Sequence, residues 1–226
     1  MSEKLKEVLG SWYDVLAPEF EKPYMREISS KVYRDRAIIC PDVPDIFNFL
    51  RLTPLEEVKV LVISKDPYTN GEAEGIAFSS KKKEIAPSLG VIYQELDRTH
   101  NIKRLTPSLR DWAMSGVFLL NVTLTAEKKK SGSHESWGWD RLTGLILRTI
   151  LKECPNPTAI MLWGDDAKRF YYNNVGGFPA APRKVLEAIH PARQLRSGGK
   201  YQYVGCGHFL LADEFHKQHG VEPINW

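Results

Sequence analysis

An α/β protein built on a short parallel sheet is what this sequence predicts, and three observations predict it. Four short runs, Val58–Ile63, Val117–Leu120, Thr158–Trp163 and Lys184–Ile189, are rich in β-branched and aliphatic residues. They carry little polar alternation, as expected of strands covered on both faces. Between successive runs lies at least one segment with apolar residues at helical spacing. This alternation predicts a three-layer α/β/α sandwich with a central parallel four-stranded sheet. The chain has 226 residues and is 42% hydrophobic, enough for one large core. No repeat, low-complexity tract or linker divides it, so 1–226 reads as a single domain.

Taken in order, Leu5, Val8, Leu9, Trp12 and Leu16 give a first amphipathic helix. Pro18 and Pro23 flank a connector, and a second helix is expected from Tyr24 to Tyr33. Cys40 to Pro44 reads as a proline-rich loop, and Ile46, Phe47 and Leu50 as a short helix. The first strand, Val58–Ile63, runs into Ser64, Lys65, Asp66, Pro67 and Tyr68, then Asn70 and Gly71, which are turn formers. Ala86-Pro87-Ser88-Leu89 opens a helix running to about Arg98, since Pro87 suits a first helical turn. Ser88 thus lies where free backbone N–H groups favour a phosphate. A short helix over Leu109–Met114 precedes the second strand, which Asn121 follows at once. The segment Asp140–Glu153 is helical and ends at Pro155 and Pro157. Gly164 and a helix from Asp166 to Tyr172 follow the third strand, and His190-Pro191 follows the fourth. A helix from His208 to His219 and the tail Pro223–Trp226 complete the order.

The formal charge of +3 permits nucleic acid binding without demanding it. Basic clusters stand at Lys81–Lys83, at Lys128–Lys130, and at Arg183, Arg193, Arg196 and Lys200, although runs of lysine are ordinarily solvated surface. Cys40, Cys154 and Cys206 lie far apart with no CxxC pair, which argues against a zinc or iron–sulfur site and a disulfide framework. No signal peptide is visible at the amino terminus and nothing approaches a membrane span. A soluble intracellular protein, with no membrane partner, is expected.

In a parallel sheet the carboxyl ends of the strands share one edge, where ligands bind in open α/β sheets. Strand one leads into Asp66, strand two into Asn121, strand three into Gly164 and strand four into His190. A carboxylate, a carboxamide and an imidazole would therefore meet in one crevice, as a hydrolytic or lyase pocket requires. An Asp after any single strand ordinarily caps a turn. Spacing alone gives an active-site hypothesis and no substrate.

Seven short motifs occur in order: DPY (Asp66–Tyr68), GIAFS (Gly75–Ser79), PSL (Pro87–Leu89), LLNVTLT (Leu119–Thr125), LWG (Leu162–Gly164), HP (His190–Pro191) and GCGHF (Gly205–Phe209). Together they resemble the main, uracil-specific family of uracil-DNA glycosylases. The resemblance extends from Ser11-Trp12 to Pro223-Ile224-Asn225-Trp226. It implies hydrolysis of the N-glycosidic bond of deoxyuridine in single- or double-stranded DNA by a monomer, with no metal or organic cofactor. Asp66 would position or activate water and stabilise the cationic sugar. His190 would donate to uracil O2, as a neutral imidazole does if its other nitrogen is held by an acceptor, a tautomer that sequence leaves open. Asn121 would donate to O4 and accept from N3–H, a pattern cytosine reverses. Tyr68 would lie against C5 and exclude a methyl group. Phe78, otherwise a plain core aromatic, would stack on the extruded base. Ser88 would contact a flanking phosphate, and the segment Pro191, Arg193, Gln194, Leu195, Arg196 would meet DNA. An acidic, DNA-mimicking inhibitor protein is a further partner that the resemblance allows.

The sequence departs from the family pattern in two places. Ser64-Lys65 and Thr69 replace the usual Gly-Gln and His around DPY. Lys65 brings a cation beside Asp66 that, if close, would weaken it as a base yet help bind phosphate or the uracil anion. It reads equally well as a side chain turned to solvent. In His190-Pro191-Ala192-Arg193-Gln194-Leu195-Arg196 the usual two serines are absent, and Asp165 stands where another is common. Arg193 and Arg196 are expected to replace neutral hydroxyl contacts with charged ones. Counting along the loop makes Gln194 the wedge that fills the vacated base space, whereas chemistry makes it Leu195. Two other readings stay open here: a glycosylase-fold DNA-binding or processivity module with weak turnover, and a glycosylase of broader substrate range.

Overall fold

The computed structural model describes residues 2–177, 179–198 and 200–226. The chain begins with helices α1 (Ser2–Leu9), α2 (Tyr13–Phe20) and α3 (Pro23–Asp35), then strand β1 (Ile39–Cys40) and helix α4 (Asn48–Leu52). Strand β2 (Val60–Ser64), helices α5 (Pro87–His100) and α6 (Arg110–Met114), and strands β3 (Val117–Asn121) and β4 (Ala126–Glu127) follow. Helix α7 (Trp139–Glu153), strand β5 (Thr158–Trp163), helix α8 (Asp165–Asn174), strand β6 (Arg183–Ala188), and helices α9 (Pro191–Arg196) and α10 (His208–Gln218) complete the order.

Four strands form one wholly parallel sheet in the order β3-β2-β5-β6. The strand order reverses direction between β2 and β5, and such a switch point opens a crevice at the carboxyl edge. Side chains alternate faces along each strand, so each strand feeds two cores. Val60, Val62, Val117, Leu119, Ala159, Met161 and Trp163 pack with Leu89, Ile92 and Leu96 of α5 and Phe209 and Ala212 of α10. Leu61, Ile63, Phe118, Leu120, Ile160 and Leu162 pack on the other face with Trp12, Leu16, Ile28 and with Leu142, Ile146 and Ile150 of α7. The expected three-layer α/β/α sandwich with a parallel four-stranded sheet is the observed architecture.

Several expectations need correction. The first helix is not continuous: a 3-10 turn over Gly10–Trp12 separates α1 from α2, consistent with the poor helix propensity of Gly10 and Ser11. Trp12 still reaches the core because its indole N–H donates to Thr53 O at 3.0 Å. Cys40, taken as the start of a loop, belongs with Ile39 to β1, which pairs antiparallel with β4, an element the hydrophobic pattern did not reveal because each strand is two residues long. The first strand spans Val60–Ser64 rather than Val58–Ile63. The fourth is an edge strand in which only Leu186 is buried, rather than one covered on both faces. The segment after His190, taken as loop, is the helix α9. Pro191 sits at its first turn, and His190 caps it by accepting from the backbone N–H of Ala192.

Candidate active site

Ser64, Lys65, Asp66, Tyr68, Phe78, Ser88, Asp166 and His190 line one cavity of about 480 Å³ at the carboxyl edge of the sheet, together with Arg193, Arg196 and Ser131. The strand ends supply most of it: β2 leads into Lys65 and Asp66, β5 into Asp166, and β6 into His190. Gly164 permits the last of these. Its φ is +103°, and a Cβ there would lie 2.9 Å from His190 Cβ, so only glycine lets the two loops approach.

Asp66 is held on one oxygen. Its Oδ2 accepts from Ser131 Oγ at 2.7 Å and from the backbone N–H of Gly132 at 2.6 Å. Its Oδ1 has no hydrogen-bond partner among the described residues. His190 Nδ1 accepts from the backbone N–H of Ala192 at 3.1 Å. This corrects the expectation that an acceptor holds the second ring nitrogen. A donor at Nδ1 is what leaves a neutral ring with its proton on Nε2, whereas acceptors at both nitrogens would demand the imidazolium. Burial pushes the His190 pKa below its ordinary value and Arg196 adds to this, with Asp166 and Asp66 pulling the other way. The ring is therefore a neutral N–H donor near pH 7.

Asn121 pairs in register with Ser64 across β3 and β2. Val60, Val62, Val117 and Leu119, two and four residues earlier, pack in the cluster that contains Phe78 and Trp163. The period of two places Ser64 and Asn121 on that same face; Ser64 lines the cavity, and Asn121 stands beside it in register without being one of the lining residues. Asn121 is 4% exposed, yet its Oδ1 has no hydrogen-bond partner among the described residues. A buried acceptor without a donor costs about 1–3 kcal/mol, a cost that a ligand N–H at Asn121 would remove.

Phe78, 5% exposed, lies 5.8 Å from the His190 ring and 5.5 Å from Trp163, centroid to centroid. Its φ is +63°, a strained value for a bulky residue and one that surrounding structure must enforce. Tyr68 and Ser88 share a hydrogen bond of 2.8 Å, and burial pushes the Tyr68 hydroxyl up to about 12. Ser88 does sit in the first turn of α5, but it is buried with its hydroxyl on Tyr68 instead of standing free for a phosphate.

Lys65 does not pair with Asp66. Its ammonium meets Glu135 Oε1 at 2.6 Å, and that contact raises its pKa. Lys65 and Asp166 form the wall between this cavity and a larger cleft of about 810 Å³ on the α7–α8 side. That cleft is lined largely by charges already matched to one another, among them Lys22 with Glu19 and Arg169 with Asp166. Gln194 Oε1 accepts from the backbone N–H groups of Tyr203 and Val204 at 2.7 and 2.9 Å, while its neighbour Leu195 is 54% exposed. Arg193 lies over the Tyr201 ring at 4.2 Å and 3.6 Å from Asp165. The lysine runs are partly engaged as well. Lys81 pairs with Asp45, Lys128 donates to Ala37 O, and Lys130 pairs with Glu127. No cluster of His, Cys, Asp or Glu suited to a metal occurs among the described residues, and none of their helices is long and apolar enough to cross a membrane.

The profile of the Uracil DNA glycosylase superfamily matches residues 50–209. The uracil-DNA glycosylase of Agathobacter rectalis is 37% identical over 224 residues, 96% of each chain. That of Pseudomonas putida is 38% identical over 221 residues, covering 95% of this chain and 93% of the relative. The chain belongs to the uracil-DNA glycosylase superfamily. Among solved structures, that of mimivirus uracil-DNA glycosylase superposes with a TM-score of 0.85 at 22% identity, covering 98% of this chain and 88% of that one. A variant of the mimivirus protein has been solved in complex with UGI.

Ser131, Gly132 and Glu135, which hold Asp66 and Lys65, are the site residues that sequence reasoning missed. Ser131 lies 65 positions beyond Asp66, in a stretch whose visible feature was a lysine run. No periodicity or turn signal joins the two segments.

Proposed function

We propose that this chain excises uracil from DNA, hydrolysing the N-glycosidic bond of deoxyuridine to leave free uracil and an abasic site. One observation supports the residue assignments: Asp66 and His190, which the resemblance makes the family's acid and imidazole, line one cavity, and Asn121, its amide, stands in register with Ser64, another lining residue. Asp66, its Oδ2 engaged, offers Oδ1 to a water molecule. That water attacks the anomeric carbon as the bond to N1 breaks, the electron pair leaves with uracil, and the carboxylate takes the water's proton. Until then its negative charge offsets the oxocarbenium character of the sugar. His190 Nε2–H donates to uracil O2 as negative charge gathers there, a stabilisation that grows toward the transition state.

Asn121 reads the base. Its buried Oδ1 meets the N3–H of uracil, which cytosine lacks. Cytosine would leave that acceptor unpaired and would set its amino group against the amide N–H₂. Tyr68 and Phe78 form the walls, the first excluding a 5-methyl group and the second stacking on the base. Lys65 stands at the rim with its charge directed to Glu135. Arg193 and Arg196 supply phosphate contacts, and Leu195 is the wedge that occupies the duplex space left by the extruded nucleotide. Residues 1–226 act as one domain and one monomer. The two hydrophobic clusters support this, since they draw from Leu9 through Trp226, and a single copy holds every side chain named. The enzyme works wherever DNA is kept, and an acidic protein mimicking DNA would compete for the same face.

The test is an oligonucleotide assay. Single strands bearing uracil, thymine or a modified pyrimidine are incubated with the protein, then treated with alkali to cut abasic sites. Cleavage confined to uracil is expected. Asp66→Asn and His190→Leu should each slow turnover roughly 10²–10⁴-fold while DNA binding changes little. Binding without cleavage by the unaltered protein would instead make it a non-catalytic DNA-binding module.

A further inference from the structure

The strap from Lys128 to Glu135 is tied to the turn after β2 at four points. Ser131 Oγ and the Gly132 N–H both donate to Asp66 Oδ2, at 2.7 and 2.6 Å. The backbone N–H of Lys129 donates to Thr69 O at 2.7 Å, and Glu135 pairs with Lys65 at 2.6 Å. The strap is itself anchored. β4, at its start, pairs with β1, and Glu127 bridges to Lys130. Ser133 Oγ accepts from the Glu127 N–H, and the His134 ring stacks on Trp137 at 3.5 Å and bonds Thr125 Oγ1 at 2.9 Å. Gly132 has φ +75°, a backbone conformation that side chains rarely adopt, and a Cβ there would lie 2.6 Å from Glu135 Oε1, so a side chain at this position would displace the carboxylate that pairs with Lys65.

From this arrangement we infer that Ser131 is a positioning residue for Asp66. A carboxylate has two oxygens and a free torsion about Cβ–Cγ. Two donors on Oδ2, one a hydroxyl and one a fixed backbone N–H, remove that freedom and leave Oδ1 as the oxygen that meets water. The Gly132 N–H alone is one tether on Oδ2, and the Ser131 hydroxyl adds a second that further restricts rotation of the carboxylate. Hydrogen bonds to an ionised acceptor are among the stronger ones in proteins. A small misplacement of a catalytic group costs rate without costing binding. Ser131 itself makes no contact with substrate in this scheme and acts only through Asp66, so the inference rests on the role proposed for Asp66 above.

The experiment is a mutant cycle on single-stranded uracil oligonucleotide. Ser131→Ala should lower kcat roughly 10- to 100-fold, the range for losing one hydrogen bond to a charged group, with KM within about twofold. Ser131→Thr, which keeps the hydroxyl, should recover most of the loss. In the Asp66→Asn background, Ser131→Ala should have almost no further effect, because residues that act as a unit are not additive. An unchanged kcat in Ser131→Ala, alongside an impaired Asp66→Asn, overturns the positioning role and leaves the role of Asp66 standing. A Ser131→Ala loss that multiplies undiminished onto Asp66→Asn overturns it too, since the serine would then act elsewhere. Full turnover by Asp66→Asn itself would overturn the assignment of Asp66, and the role of Ser131 with it.

Discussion

Gln194 and Leu195 are adjacent in sequence and differ in what their side chains do. The Gln194 oxygen satisfies two backbone N–H groups of the segment that follows α9, while the Leu195 side chain reaches solvent. Gln194→Ala should lower unfolding free energy by about 1–3 kcal/mol, because two donors lose their partner. Leu195→Ala should leave stability unchanged but slow uracil excision from duplex DNA about tenfold or more relative to single strands, where no base pair has to be opened. Urea melts and paired duplex and single-strand assays check both. A Gln194→Ala protein of normal stability that fails only on duplex would make Gln194 the wedge. The same contrast shows the limit of reading letters: counting pointed to Gln194, and nothing local foretold that its oxygen accepts from backbone N–H groups nine and ten positions later.

At the scale of the element, α9 matters most. It turns the segment after β6 from a loop into a six-residue helix, with Arg193 and Arg196 one turn apart near the cavity rim. A phosphate contacted by arginine releases a counterion, which a serine contact does not. The log–log slope of DNA affinity against salt should therefore be shallower by about 1–2 in an Arg193→Ala/Arg196→Ala double variant. Of the two single variants, Arg193→Ala should change the slope less than Arg196→Ala, because Asp165 competes for Arg193. Equal slopes for the double variant and the parent, measured by fluorescence anisotropy, would remove the arginines from the phosphate contacts. The proline at the first turn of α9 was legible in sequence. The helix itself was not, because it is too short for a 3.6-residue pattern to emerge and most of its face is polar.

Over the whole molecule, burial sets a common direction for histidine. His134, His190, His208 and His216 all have pKa values pushed down by desolvation, His208 to about 4. His208 accepts from the Trp163 indole N–H at 3.0 Å, which requires a neutral nitrogen. The unfolded chain thus binds more protons than the native one below the ordinary histidine value, so stability falls as pH drops through that window. Between pH 7 and pH 5 unfolding free energy should fall by about 2 kcal/mol from His208 alone, steepest below about 6.5, with the other three adding in the same direction. Urea unfolding at the two pH values measures it, and a stability flat over this range would contradict the burial of these rings.

The sequence by itself determined the layer architecture and the sheet, because buried strands stand out as short unbroken apolar runs and amphipathic helices write a 3.6-residue period into the letters. It also located Asp66, Asn121 and His190, since each stands directly beyond or at the end of a strand and parallel strands share an edge. Tertiary structure alone decided which partner each of these groups has. Asp66 meets Ser131 and Gly132, Lys65 turns to Glu135, and Ser88 turns to Tyr68. Such contacts join segments 20 to 70 residues apart, and no local propensity encodes them. They arise only when packing of the two cores brings distant loops to the same edge, where directional hydrogen bonds then select among the neighbours available.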